Sequence, residues 1–227
     1  MANKLFKKTS SGTSSIKFYK KTSTGQTQCP VYKKTSSGME RLDQQLVTKT
    51  YTVEGYCDWC CCYMGSSSSQ SSLSKKGTDP IYPRHGKYSS YYYWSPISFE
   101  TVFKKVRGKN ITKVELKLHS LHSYYNTGMD VYVSGFGSLA TTSTPSSVNL
   151  SIFNNARYSS DTHYEKSGES KYITLNSTGI NAVKNSTING FRMIACGGWA
   201  LADYGYFEGS GTNRPYVRIT YTEQVWE

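Results

Sequence analysis

Between residues 96 and 222, short runs with apolar side chains at every second position recur between clusters of Gly, Asn and Ser. The runs are PISFETVFKKV (96–106), ITKVELKLH (111–119), MDVYVSGF (129–136), SVNLSIF (147–153), KYITL (171–175), GFRMIAC (190–196) and RPYVRITYT (214–222). In the second of them Val114, Leu116 and Leu118 alternate with Lys113, Glu115 and Lys117, the period of a strand with one face buried. Strands at this spacing, punctuated by turn residues, predict an antiparallel β-sandwich over 79–227. One segment breaks the period: in STGINAVKN, Ser177 or Thr178 can cap a helical turn that buries Ile180 and Val183.

The N-terminal pattern is different. Lys-Lys-Thr returns at 7–9, 20–22 and 33–35, so the units LFKKTSSGTSSIK (5–17), FYKKTSTGQTQCP (18–30) and VYKKTSSGMERLD (31–43) repeat every 13 residues. Each opens on an apolar pair, which includes Phe6, Tyr19 or Tyr32, and carries a glycine at Gly12, Gly25 or Gly38. A unit this short, rich in Thr and aromatics, predicts a β-hairpin, with glycine supplying positive φ at the bulge of a three-residue loop. Cys29 stands where the sister units have Ile16 and Leu42 and reads as a small apolar residue. Isolated hairpins are marginal in water, so these residues are expected to anchor the chain or join copies of it, a trimer being favoured. The arrangement resembles the β-spiral shafts of viral fibres.

Between repeat and sandwich lies Cys57-Asp-Trp-Cys60-Cys61-Cys62. Cys57 and Cys60 have the spacing of a zinc knuckle, with Cys62, Cys61 or His85 needed to complete a tetrahedron. The preferred reading is thiols packed near Trp59 or at a subunit contact, with zinc as the alternative. GSSSSQSSLSKKG (65–77) has the composition of a flexible linker. The expected organisation is therefore a basic β-repeat segment with the cysteine cluster (1–64), a Ser-rich linker (65–78) and a sandwich domain (79–227).

Charge changes this picture in one respect. The chain of 227 residues has a formal net charge of +12, yet residues 1–39 hold eight lysines and no acid, leaving an ordinary balance elsewhere. Paired lysines near Phe6, Phe18, Tyr19 and Tyr32 fit single-stranded nucleic acid. A solvated basic face on a hairpin array is preferred, since lysine without arginine suits edge protection better than base readout. The opening Met-Ala-Asn-Lys-Leu-Phe-Lys-Lys lacks the apolar stretch of a secretory signal, so the expectation is folding in a reducing cytosol, with no membrane insertion and no reason to pair the six cysteines.

Catalytic candidates are sparse. Asp203 and Glu208 sit five apart and His119 and His122 three apart, spacings that an extended chain sends to opposite faces, and His163 lies in a polar DTHYE segment. The tyrosine-rich stretches GKYSSYYYW (86–94), HSYYN (122–126) and GGWALADYGYF (197–207) are better suited to glycan, because aromatic faces stack on sugar C–H surfaces while neighbouring polar groups bond hydroxyls. Trp199, Asp203, Tyr204 and Tyr206 form the preferred binding group. Filling of a core or a subunit interface is the competing role for these rings.

GKNITKVELKLHS, LNSTGINAVKNSTINGFRMIA and YGYFEGSGTNRPYVRITYT, together with the closing alternation of Pro215, Val217, Ile219 and Tyr221, resemble the DNRLRE-type jelly-roll domain over roughly 88–223. Variants of that domain occur in structural and receptor-binding proteins of phages of Gram-positive bacteria, often with the entry seen at Gly108-Lys109-Asn110-Ile111; short K-T-S-S-G units are similar to those of such proteins. The resemblance implies a non-enzymatic virion protein, assembled in the host cytoplasm with other virion proteins, of fibre or receptor-binding type. Its head would contact a cell-surface glycan. A capsid decoration or head fibre without a receptor role, and a carbohydrate-binding module of a cell-wall protein, are the alternatives.

Overall fold

The computed structural model describes all residues except 1–17, 23–24, 30–31, 37, 42–45, 77–81, 124–127, 138–144, 198–203 and 227; at 18–22, 25–29, 32–35, 39–41, 46, 123 and 226 only the backbone is described. The chain divides into two units, Met1–Lys49 with Gln224–Glu227, and Thr50–Glu223.

Among its described residues the first unit has two hairpins. Strand β1 (Phe18–Thr22) pairs with β2 (Gly25–Cys29) from Phe18↔Cys29 to Thr22↔Gly25, and β3 (Tyr32–Thr35) pairs with β4 (Gly38–Arg41) from Tyr32↔Arg41 to Thr35↔Gly38. One hairpin falls on each of the second and third repeats, with Tyr19 in β1 and Tyr32 opening β3. Phe6 and Gly12, in the first repeat, lie outside the described residues. The loop differs from the expected one: Gly25 and Gly38 open the returning strands, paired with Thr22 and Thr35, and two residues lie between. Gly38 has φ +139°, a backbone that L side chains rarely adopt, so glycine is still required there.

The second unit is an all-β sandwich of two antiparallel sheets. Its elements are β5 (Leu46–Tyr56, from Thr50), β6 (Trp59–Cys60), β7 (Tyr63–Gly65), β8 (Ser72–Lys75), β9 (Arg84–Tyr88), β10 (Tyr91–Trp94), β11 (Ile97–Ser98), α1 (Glu100–Val106), β12 (Asn110–Ser123), β13 (Met129–Phe136), β14 (Ser147–Asn149), β15 (Thr162–Tyr164), β16 (Ser170–Thr174), α2 (Ser177–Lys184), β17 (Gly190–Ala195), β18 (Gly205–Phe207) and β19 (Tyr216–Trp226, as far as Glu223). The large sheet runs β14-β8-β7-β10-β9-β18-β12-β19-β5, with β16 also on β12, and the smaller runs β15-β13-β17-β11-β6.

Alternation explains the packing. Val114, Leu116 and Leu118 of β12 are fully buried and meet Val217 and Ile219 of β19 and Phe207 of β18, opposed by Val131, Val133, Phe191 and Met193 of the smaller sheet. Phe136, of opposite parity on β13, enters a second core with Cys61, Tyr63, Leu73, Trp94, Val148 and Phe153. The smaller sheet is thus covered on both faces.

Three expectations are corrected. Residues 100–106 form helix α1 and not a strand, because Phe99, Val102, Phe103 and Val106, all buried, recur at helical spacing. Phe99 gives no side-chain cap; instead Asp58 Oδ2 accepts from the Thr101 N–H at 3.0 Å. Helix α2 lies where expected, but its cap is Asn176, whose side chain accepts from Gly179 N. The serine-rich stretch is not a linker. Gln70 Oε1 accepts from Ser66 N at 2.9 Å and Gln70 Nε2 donates to Ser72 O at 2.6 Å, closing a turn that delivers β8 between β7 and β14 with Leu73 fully buried. Composition overlooked one leucine and one glutamine, and the division between units falls after Lys49.

Replacing Leu73 by Ala should therefore lower stability by about 2–5 kcal/mol in thermal or denaturant unfolding. A change within about 0.5 kcal/mol, as on a solvated tether, would contradict the placement of β8.

Candidate functional site

Strand β18 lies between β9 and β12, and its register builds a row of side chains across three strands: Arg84 pairs with Tyr206, and Tyr206 with His122. Gly205 makes the approach possible, since a Cβ there would lie 2.3 Å from Met129 Sδ and 2.8 Å from His122 O. The row stands on the face of the large sheet opposite Phe207 and Trp94, which enter the two cores. Cys62, Tyr93 and Tyr204 are buried on this same face, with Met64 and Tyr206 half-buried beside them.

The contacts within the row are aromatic and cationic. The Arg84 guanidinium lies 5.0 Å from the Tyr206 ring centroid and 5.9 Å from that of Tyr93, and Arg84 Nη1 donates to Tyr204 Oη. His122 stacks on Tyr206 with centroids 5.1 Å apart and planes 23° apart. Tyr88, exposed, lies 5.0 Å from Tyr204. Burial pushes the Tyr204 phenol up to about 12, against the opposing pull of the Arg84 cation, and burial likewise raises Tyr93. These side chains and Lys76 line a cavity of ≈ 430 Å³. A guanidinium, an imidazole and phenol hydroxyls set among ring faces can stack on an apolar ring edge while bonding hydroxyls or an anionic substituent.

Of the four residues expected to bind ligand, Tyr204 and Tyr206 lie here, while Trp199 and Asp203 lie outside the described residues. Tyr204 is 4% exposed, so it supports the cavity more than it offers contact; Tyr206 is the accessible ring. Arg84, two residues before GKYSSYYYW, was not picked out from the sequence, whereas His122 lies within HSYYN, a stretch already marked for glycan binding; only strand register reveals that the two share one row with Tyr206.

The cysteines do not converge. Cys57 and Cys60 enter the main core, Cys61 the second and Cys62 the cluster behind Tyr93, because successive residues of an extended chain alternate in direction. Cys62 is consequently not placed as a third ligand, and among the described residues no group of three His, Cys, Asp or Glu is set to hold a metal. Cys60 Sγ donates to Gly209 O at 3.5 Å, and the neighbouring Cys57 and Cys60 thiols act on each other so that Cys57 is lowered and Cys60 raised.

His119 Nδ1 lies 2.8 Å from Ser170 Oγ, but its Nε2 stands 4.0 Å from Glu208, too far for the hydrogen bond a nucleophile relay needs. His163 pairs with Asp130 at 2.8 Å, both half exposed. Neither arrangement lines the Tyr206 cavity. No protein-family model matches the chain, and no curated protein matches it.

The raised Tyr204 phenol yields a test with a defined sign. Its contribution is fully present below the ordinary tyrosine value of about 10 and is lost as pH rises through about 12. Tyr204→Phe, which removes the acceptor facing Arg84, should cost about 1 kcal/mol at neutral pH. The gap between wild type and variant in melting temperature should close between those pH values; a gap constant across them would contradict the buried, protonated phenol.

Proposed function

We propose that the chain is a non-enzymatic virion protein of fibre or receptor-binding type, from a phage of a Gram-positive host, with a head that binds cell-surface glycan. The observation that carries this reading is the Arg84–Tyr206–His122 row, an aromatic and cationic cavity built on three paired strands. Sites on strands hold side chains in fixed geometry, and ring faces with a few polar groups are the chemistry that recognises sugars. The likeness to the DNRLRE-type jelly-roll and the 13-residue repeats supplies the virion part of the reading. In it the repeats join copies of the chain, a trimer being favoured, or seat it on other virion proteins.

A second reading, a capsid decoration or head fibre without receptor role, is favoured by the burial of Tyr93 and Tyr204, rings that fill the sheet face and are not offered to a ligand. The two readings part on binding. On an array of bacterial cell-wall glycans the full chain should bind a defined subset, and Tyr206→Ala should weaken that binding about tenfold, the order of one to two kcal/mol expected for one stacked ring. Absence of binding across the array, or binding indifferent to Tyr206→Ala, would sink the receptor role at this site.

A further inference from the structure

Arg192 is the third residue of β17 and points opposite to Phe191 and Met193, away from the main core, with 5% exposure. Its Nε donates to Asn154 O at 3.1 Å and its Nη2 to Asn155 Oδ1, and the guanidinium lies 5.4 Å from the Phe153 ring centroid. Those two bonds occupy one side of the planar group. Among the described residues Nη1 has no hydrogen-bond partner and no carboxylate pairs with Arg192. Burial pulls its proton affinity down to about 10, which still leaves it cationic at neutral pH. A buried cation without a counter-ion is strongly destabilising.

A cavity of ≈ 430 Å³ lies against this group. Buried Trp94, Phe153 and Arg192 form its inner wall, and exposed Ser68 and Cys196 its rim. At the rim Asp161 accepts from the Cys196 thiol at 2.9 Å and is itself ion-paired with Arg157, so its charge is already answered. The arrangement has a fixed cation with one edge unengaged, apolar walls, and room for a ligand of monosaccharide size.

We infer that this cavity is a carboxylate-binding site, taking a small acidic ligand whose carboxylate meets the Nη1 and Nη2 edge of Arg192 in the two-pronged geometry that guanidinium groups favour. It is distinct from the Tyr206 cavity, with which it shares Tyr93. The carboxylate site stands on Arg192 alone; assigning the ligand as an acidic sugar, of the hexuronate class, rests on the glycan-binding reading above.

The test is calorimetric titration of the full chain with glucuronate, with its neutral methyl ester, and with N-acetylalanine, which carries the carboxylate on a peptide end. Glucuronate should bind at least about tenfold more tightly than the ester. Arg192→Lys should remove most of that preference, and Ser68→Trp should block entry from the exposed rim. Equal binding of acid and ester, no binding of glucuronate at millimolar concentration, or binding undiminished in Ser68→Trp would overturn the site. Should Arg192→Lys fail to fold, the acid-to-ester ratio and Ser68→Trp still decide. Tighter binding of N-acetylalanine than of glucuronate would overturn the acidic-sugar assignment.

Discussion

Strand β12 is the constraint on which the second unit depends. Its first half, Asn110–Lys117, pairs with β19, Glu115–His119 also pairs with β16, and Ser120–Ser123 pairs with β18. Val114, Leu116 and Leu118 put one face of it fully into the main core. Because a slip of one residue would turn those three side chains to solvent, the buried face pins the register as far as Ser120, which opposes Phe207. A bulge between Ser120 and His122 then reverses the alternation and turns His122 to the other face, beside Tyr206 and, through β18, beside Arg84. Core packing and this bulge together position the candidate site.

The two cavities answer different physical problems. At Arg84 the cation is met by ring faces and a phenol oxygen while Tyr206 stays accessible. At Arg192 the cation is held by a backbone carbonyl and an amide oxygen, neither of which carries charge. The first is suited to stacking a neutral ring, the second to an external anion.

What the sequence made legible follows from what period and composition can express. Alternation found β12, β13, β17 and β19, since each has one apolar face, and the 13-residue repeat found the hairpins at β1–β2 and β3–β4. It misread α1, where Ile97 and Phe99 extend a strand-like run into residues whose burial follows helical spacing. It misread 65–78, where a single buried leucine and the three hydrogen bonds of the Gln70 side chain outweigh a run of serines. The tyrosine-rich stretches pointed to the site, but Arg84 and Arg192 look like ordinary surface arginines until pairing and burial are known. Their chemistry arises from neighbours far away in sequence, Tyr204 for one and Asn154 for the other.

An open cavity lined by a few rings gives weak single-site binding, and adhesion through such a site needs several copies acting together. In the proposed reading the repeats join copies of the chain, so that several heads are presented at once. Sedimentation equilibrium on the full chain tests this most directly. The expected result is a discrete oligomer, a trimer by the repeat logic, that persists on dilution; a mass that stays monomeric up to high concentration would contradict it.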